Sequence, residues 1–151
     1  KLVSVYNGVS IPSIIFDSTG TKKIASLASY IIEALKEGKI LVIDELDSSL
    51  HFSLTRSIVA LFNNILNKNS QLIFTAHDIS LMDCNKLMRK EQLWFMHKDK
   101  ECSYLYSLSE FKAKDGVRDT SDIIEKYKKG LFGAVPEPSL INSLIEITGG
   151  M

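Results

Sequence analysis

Two short apolar runs constrain the fold of this chain more than any other feature. Residues 40–43 and 71–75 are continuous rather than alternating in hydropathy, and polar residues follow both runs. Such runs are typical of parallel strands that are buried on both faces. Between them, apolar residues recur at helical spacing, namely at Leu54, Ile58, Leu61 and Ile65. This order predicts a strand, a helix and a second parallel strand joined by a right-handed crossover.

Acidic residues and a histidine follow these two predicted strands. Asp44 and Glu45 come directly after the first strand, and His77 follows the second. Because ligands of parallel sheets bind beyond the carboxyl ends of the strands, we expect these three side chains at one rim. One carboxylate could hold a magnesium shell while its neighbour polarises a water molecule, and the imidazole could donate to a phosphate oxygen. Taken alone, the residues also fit a solvated acidic strand end and an ordinary rim histidine.

The N-terminal segment predicts a hairpin followed by a long helix. Residues 2–16 alternate loosely around Asn7-Gly8, a dipeptide favoured in tight turns. An amphipathic pattern then runs over 21–37 and ends at Gly38. Ser18-Thr19-Gly20-Thr21 stands at its start, where hydroxyl groups and exposed amides can bind an anion. The alternative interpretation of this segment is a plain helix cap.

The remainder of the chain predicts smaller elements. We expect a short helix over 82–89, strands over 92–97 and 103–108 that form a hairpin, and a helix around Ile123, Ile124 and Tyr127. The fold class is therefore α/β, with a mainly parallel sheet flanked by helices and a β-hairpin toward the C-terminal side. We expect one domain over residues 1–151.

Composition excludes some classes of protein. Eighteen basic and eighteen acidic residues cancel, so the net charge does not indicate a nucleic-acid or membrane surface. Cys84 and Cys102 lack metal-ligand spacing, which predicts reduced thiols rather than a disulfide framework. No apolar run reaches the length of a membrane span, and no signal peptide pattern is present. These features predict a cytoplasmic location.

The order of these motifs resembles the second half of the ATPase heads of ABC type. Four segments resemble motifs of these heads. Residues 17–23 resemble the signature motif and residues 41–45 the Walker B strand, while residues 46–51 resemble the D-loop and residues 74–78 the switch-histidine motif. The amino-acid sequence of residues 17–51 is most similar to that of prokaryotic AAA-type ATP-binding proteins of abortive-infection and other anti-phage systems. These proteins are related to the SMC, RecF and overcoming-lysogenisation-defect proteins. Segments 95–99 and 127–136 are similar to that group as well. The resemblance runs from about residue 17 to about residue 136.

The resemblance implies a P-loop NTPase fold that uses ATP and Mg²⁺. Two heads of that type sandwich two nucleotides, so the partner would be a second copy of the head. The implied roles are metal binding for Asp44, general base for Glu45, γ-phosphate sensing for His77, a link between the two sites for Asp47, and contact with the partner's nucleotide for Ser18, Gly20 and Thr21. Hydrolysis would drive an effector protein in phage defence or a nucleic-acid-related process.

A glycine-rich phosphate-binding loop of the form G-x-x-x-x-G-K-[ST] does not occur in the sequence. We therefore expect the chain to be the C-terminal part of a head whose Walker A half lies before Lys1, and to be inactive alone. One alternative is a non-catalytic dimerisation module derived from such a head. Another is the head of an ATP-dependent nuclease, for which Asp115, Asp119 and Asp122 are the nearest acidic cluster. Their charged surroundings favour a solvated surface instead.

Overall fold

The computed structural model describes residues 3–99, 101–118 and 122–135. The chain has two compact units, Lys1–Met88 and Arg89–Met151. The single domain over 1–151 stays a prediction. None of the helices in the described ranges is long and apolar enough to cross a membrane.

The first unit begins with the predicted hairpin. Strand β1 (Val3–Tyr6) pairs antiparallel with β2 (Val9–Pro12), and Val3 lies opposite Pro12. Both turn residues have positive φ, 48° at Asn7 and 81° at Gly8, as a two-residue hairpin turn of type I′ requires. A single helical turn, α1 (Ser13–Phe16), follows directly.

Hydrogen bonds to Asp17 connect β1 of this hairpin to the segment between α1 and the long helix that follows. Its buried carboxylate accepts hydrogen bonds from the Ser4 hydroxyl and from the Tyr6 hydroxyl, the latter at 2.8 Å. These two bonds hold the pKa of Asp17 below its usual value, and the same contact raises the pKa of Tyr6. The long helix α2 (Thr19–Glu37) starts two residues before the predicted start at residue 21. It ends at Gly38 as predicted, where φ is 69°.

The strand-helix-strand order is confirmed. Strand β3 (Ile40–Ile43) runs parallel to β4 (Gln71–Phe74), and α3 (Phe52–Phe62) lies between them in the chain. The prediction that Ile65 belongs to this helix is wrong, because its side chain is 88% exposed beyond the helix end. The Asn64 side chain accepts the Leu66 amide at 2.9 Å there, and asparagine side chains that bond the backbone in this way compete with helix continuation.

The predicted sheet differs from the observed one in two respects. Of the three strand pairs in the described ranges, only β3–β4 is parallel, so the mainly parallel sheet is wrong for this part of the chain. The strands are also not buried on both faces: Val42 is 70% exposed, whereas Ile43 is buried. Helices α2 and α3 pack against β3 and β4, and nothing among the described residues covers the face that carries Val42.

The predicted helix over 82–89 is also wrong. A 3-10 turn, Ile79–Met82, occupies the segment before it, and residues 83–89 are not helical. The Asp83 carboxylate accepts the amides of Asn85 and Lys86, each at 3.2 Å, as in a helix cap, but only one turn follows, because the Leu87 and Met88 amides both donate to the Asp83 carbonyl, at 2.9 Å and 3.0 Å.

The second unit is built on the predicted C-terminal hairpin. Strand β5 (Trp94–Lys98) pairs antiparallel with β6 (Ser103–Ser107), with Phe95 opposite Tyr106. Helix α4 (Ile123–Lys128) confirms the last predicted helix, and the Asp122 carboxylate caps it. Aromatic rings pack on one face of the hairpin, where Phe95 stacks on Phe132 with centroids 5.2 Å apart. The core of this unit comprises Phe95, Leu108, Val117, Ile123 and Phe132.

Candidate functional site

The site predicted from the sequence lies where β3 and β4 end. The ladder between the two strands continues past them, because the Thr75 amide donates to the Ile43 carbonyl at 3.1 Å and the Leu46 amide to the Thr75 carbonyl at 3.0 Å. The residues after each strand are therefore held side by side. This register brings Asp44, Glu45 and His77 to one rim, as predicted.

The Thr75 hydroxyl is the centre of this rim. It donates to Asp44 Oδ1 at 2.5 Å and accepts the Glu45 amide at 2.8 Å. One side chain therefore orients the first carboxylate and the backbone of the second. Sequence reasoning missed this role. In the observed register Ile43 lies opposite Phe74, so Thr75 lies opposite Asp44, but the sequence alone does not give this register.

Glu45 and His77 are neighbours without a direct hydrogen bond. Glu45 Oε1 lies 3.8 Å from His77 Nε2, and the two side chains are 58% and 84% exposed. This distance is beyond hydrogen-bond range, so both groups remain accessible to a ligand. The Glu45 backbone has φ of 47°, a left-handed conformation that costs a non-glycine residue about 1–2 kcal/mol. Hydrogen bonds at its amide and its carbonyl hold that conformation.

Asp47 lies behind the histidine. Its Oδ2 accepts the amide of His77 at 2.9 Å and the amide of Asp78 at 2.8 Å. Its Oδ1 is buried and has no hydrogen-bond partner among the described residues. The structure therefore gives Asp47 a positioning contact with the His77 main chain. Its predicted contact with nucleotide stays a prediction.

The start of α2 lies against the loop that follows the acids. Lys23 Nζ donates to the carbonyl of Glu45 at 2.8 Å and to that of Ser48 at 2.9 Å. A Cβ atom on Gly20 would lie 2.5 Å from the Ser49 carbonyl oxygen, so this approach requires glycine. Sequence reasoning missed Lys23, because nothing in the helix pattern distinguishes it from other surface lysines.

Ser18 and Thr21 form a helix cap, the plainer of the two interpretations. Ser18 Oγ accepts the Thr21 amide at 3.1 Å and lies 2.9 Å from the Thr21 hydroxyl. Their hydrogen bonds within the described ranges do not reach Asp44, Glu45 or His77. The structure places Gly20 beside Ser49, and it gives Ser18 and Thr21 hydrogen bonds with each other rather than with the acidic rim.

A half-buried ion pair joins α3 to the segment after β4 in the same unit. Arg56 donates to Asp83 Oδ2 at 3.0 Å and also to the Ser80 carbonyl. Burial acts to raise the pKa of Asp83, but the bonds from Arg56 and from the Asn85 and Lys86 amides outweigh it and hold that pKa below its usual value.

The rim has the donor set of a magnesium site that is completed by a ligand. Mg²⁺ in nucleotide sites takes one or two carboxylates and fills its remaining positions with water and phosphate oxygens. Asp44 and Glu45 are exposed carboxylates that fit this description. No group of three side chains that could enclose a metal ion occurs in the part of the chain that the structure describes.

The acidic cluster considered for a nuclease has other roles. Asp115 Oδ2 accepts the Lys112 amide at 3.0 Å, and Asp122 Oδ1 accepts the Glu125 amide at 3.0 Å. Both carboxylates therefore cap local turns, and Asp119 lies outside the described residues.

Comparison with known proteins places this site within a family. No curated protein matches the chain. One family model matches residues 6–83, just over half of the 151 residues, and this match includes every residue of the rim. Segments 95–99 and 127–136, which resemble the same kind of ATPase, lie outside the matched range, so their resemblance stays a prediction. By the match over 6–83, the chain belongs to the family described as "AAA domain, putative AbiEii toxin, Type IV TA system".

Proposed function

We propose that this chain supplies the acid-bearing part of an ATP-hydrolysing site in a P-loop ATPase head of the ABC type. The observation that carries the proposal is the rim itself, where Glu45 Oε1 lies 3.8 Å from His77 Nε2 and the Thr75 hydroxyl fixes Asp44. A non-catalytic dimerisation module would not require two carboxylates and an imidazole to lie together at the ends of two strands. Membership of an AAA-domain family supports the same conclusion.

Each rim residue has a distinct proposed role. Asp44 holds the magnesium shell, because its carboxylate is exposed and oriented by Thr75. Glu45 accepts a proton at its carboxylate from the water that attacks the terminal phosphate. His77 donates a hydrogen bond to a phosphate oxygen, and Asp47 positions it through the backbone. ATP and Mg²⁺, when bound, supply the phosphoryl group and neutralise its charge.

The start of α2 serves a second copy of the head in this proposal. Ser18, Gly20 and Thr21 lie at the N-terminus of a 19-residue helix, where exposed amides favour a phosphate. Lys23 links this helix to the loop that carries Asp47. Closure of one head over the nucleotide of its partner would therefore change the position of Asp47 in the first head's own site as well. The phosphate-binding loop comes from another segment, since this sequence contains none.

We propose that hydrolysis drives an effector in phage defence or a nucleic-acid-related process in the cytoplasm. The family description, which names a toxin of a toxin–antitoxin system, supports this setting. The structure gives the alternatives less support. A nuclease would need the carboxylates of Asp115 and Asp122, which cap turns instead.

Glu45→Gln tests the proposal. In the protein together with the segment that carries the phosphate-binding loop, we expect this variant to lower single-turnover ATP hydrolysis by about 10²-fold or more while nucleotide still binds, because general-base catalysis contributes on that order. Glu101→Gln, an exposed glutamate of the other unit, is the matched control. Unchanged hydrolysis in Glu45→Gln would contradict the catalytic role and favour a non-catalytic dimerisation module.

A further inference from the structure

Lys23 connects the start of α2 to the turn that carries Glu45. Lys23 is half-buried, and its Nζ donates to the Glu45 carbonyl at 2.8 Å and to the Ser48 carbonyl at 2.9 Å. The Ser48 amide also donates to the Glu45 carbonyl, at 3.0 Å. The Glu45 carbonyl therefore accepts a backbone hydrogen bond of its own turn and a charge-assisted hydrogen bond from α2, and the charge-assisted kind is the stronger of the two.

A second contact joins the same face of α2 to the same turn. Gly20 lies three positions before Lys23, so the two residues share one face of the helix. A Cβ atom on Gly20 would lie 2.5 Å from the Ser49 carbonyl oxygen, which shows how closely the helix approaches the turn. The position of α2 relative to residues 45–49 is therefore fixed at two points.

The backbone of this turn needs support from its surroundings. Glu45 and Ser49 have φ of 47° and 60°, and residues other than glycine keep such left-handed conformations where neighbouring contacts fix them. The Thr75 hydroxyl supports Glu45 at its amide, at 2.8 Å, and Lys23 supports it at its carbonyl. Loss of the Lys23 ammonium would release the carbonyl of Glu45 from α2 while its amide stayed bound to Thr75.

We propose that Lys23 is a positioning residue that directs the Glu45 carboxylate by holding the Glu45 backbone. The conformation of a side chain depends on the φ and ψ of its own residue, so relaxation of the left-handed backbone would move the carboxylate from its place 3.8 Å from His77. This inference rests on the proposed function, because it concerns the hydrolytic step that Glu45 serves. Lys23 acts through the Glu45 backbone, so its loss should slow hydrolysis rather than weaken nucleotide binding.

The test compares single-turnover ATP hydrolysis with nucleotide affinity in Lys23→Met, in the protein together with the segment that carries the phosphate-binding loop. Methionine keeps the length of the side chain and removes its donors. We expect hydrolysis to fall by about 10-fold while nucleotide affinity stays within about twofold, since one hydrogen bond from a charged group contributes on that order. Lys23→Arg should restore most of the lost rate, because a guanidinium also donates to carbonyls. The matched control is Lys36→Met, which removes the same charge from the exposed last turn of α2.

A double-mutant cycle shows whether Lys23 acts through Glu45. In the Glu45→Gln background, Lys23→Met should change hydrolysis little, since the group that it positions is already lost. Full additivity of the two substitutions would overturn the inference, and so would equal rates in Lys23→Met and Lys36→Met. If Glu45→Gln alone left hydrolysis unchanged, the proposed function would fail and the inference with it.

Hydrogen exchange in the full chain tests the same contact without ATP. The Ser48 amide should exchange severalfold faster in Lys23→Met than in Lys36→Met, because the turn that this amide closes is no longer tied to α2. The Thr75 amide, which donates to the Ile43 carbonyl at 3.1 Å, should keep its exchange rate in both variants. Unchanged exchange at Ser48 would rule out the positioning contact even where Glu45→Gln abolishes hydrolysis, so this failure is distinct from a failure of the proposed function.

Discussion

Asp47 holds His77 by its main chain: the Asp47 carboxylate accepts the His77 amide at 2.9 Å and the Asp78 amide at 2.8 Å. The imidazole itself is 84% exposed. The position of His77 at the rim therefore depends on an acid that the ligand need not touch.

Replacement of Asp47 should separate positioning from charge. Asp47→Ala leaves two backbone amides without their acceptor, and we expect it to lower the free energy of unfolding by about 1–3 kcal/mol. Asp47→Asn keeps an acceptor oxygen and should retain most of that stability. Urea unfolding followed by circular dichroism measures both variants. If the two variants lose the same stability, the charge of Asp47 matters rather than its hydrogen bonds to the backbone.

Thr75 should tune the metal affinity of the rim. Thr75→Val removes the hydroxyl that orients Asp44 while it keeps the shape of the side chain. On the proposed function, the magnesium-dependent part of nucleotide affinity should fall by about 10-fold or more, as found when the supporting partner of a metal ligand is lost. Thr75→Ser keeps the hydroxyl and is the control. Calorimetric titration with and without magnesium measures the effect, and equal affinities for the two variants would contradict the role.

The rim could be predicted from the sequence because it follows from strand topology alone. Two apolar runs joined by a helix favour parallel neighbours, so we expected Asp44, Glu45 and His77 to meet at one edge. Thr75 and Lys23 could not be recognised in the same way. Their roles depend on side-chain hydrogen bonds across 31 and 22 positions of the chain, which no local pattern encodes.

The errors in the predicted fold have two different physical causes. Continuous apolar runs indicate burial on both faces, but they do not say whether the residues that cover the second face belong to the described part of the same chain. The exposed Val42 shows this limit. At 82–89 we predicted a short helix, whereas the Asp83 carboxylate caps only a single turn, in which the Leu87 and Met88 amides both donate to the Asp83 carbonyl.

Gly20 should tolerate no side chain. Gly20→Ala would raise helix propensity, but its Cβ would lie 2.5 Å from the Ser49 carbonyl oxygen, which is backbone and cannot move freely. We expect a net loss of about 1–3 kcal/mol in the free energy of unfolding, as for other substitutions that overfill a packed contact. Thr19→Ala, one position earlier and exposed, is the control. Thermal unfolding of both variants gives the comparison, and a Gly20→Ala protein as stable as Thr19→Ala would disprove the contact.

Asp17 should make the stability of the first unit depend on pH in acid. Its folded pKa is lowered, chiefly by the hydrogen bonds from Ser4 and Tyr6, so its contribution is fully present above the usual carboxyl pKa of about 4 and is lost as the pH falls through the folded pKa. Tyr6→Phe removes one of the two donors and should shrink this acid-dependent loss, and Asp17→Asn should remove it. Urea unfolding between about pH 6 and about pH 2 measures the effect.

The control is Tyr30→Phe, because Tyr30 is exposed on α2 and its replacement should leave the pH profile of stability unchanged. If Asp17→Asn keeps the profile of the unaltered chain, the acid dependence must arise from another carboxyl such as Asp83, whose pKa is also lowered.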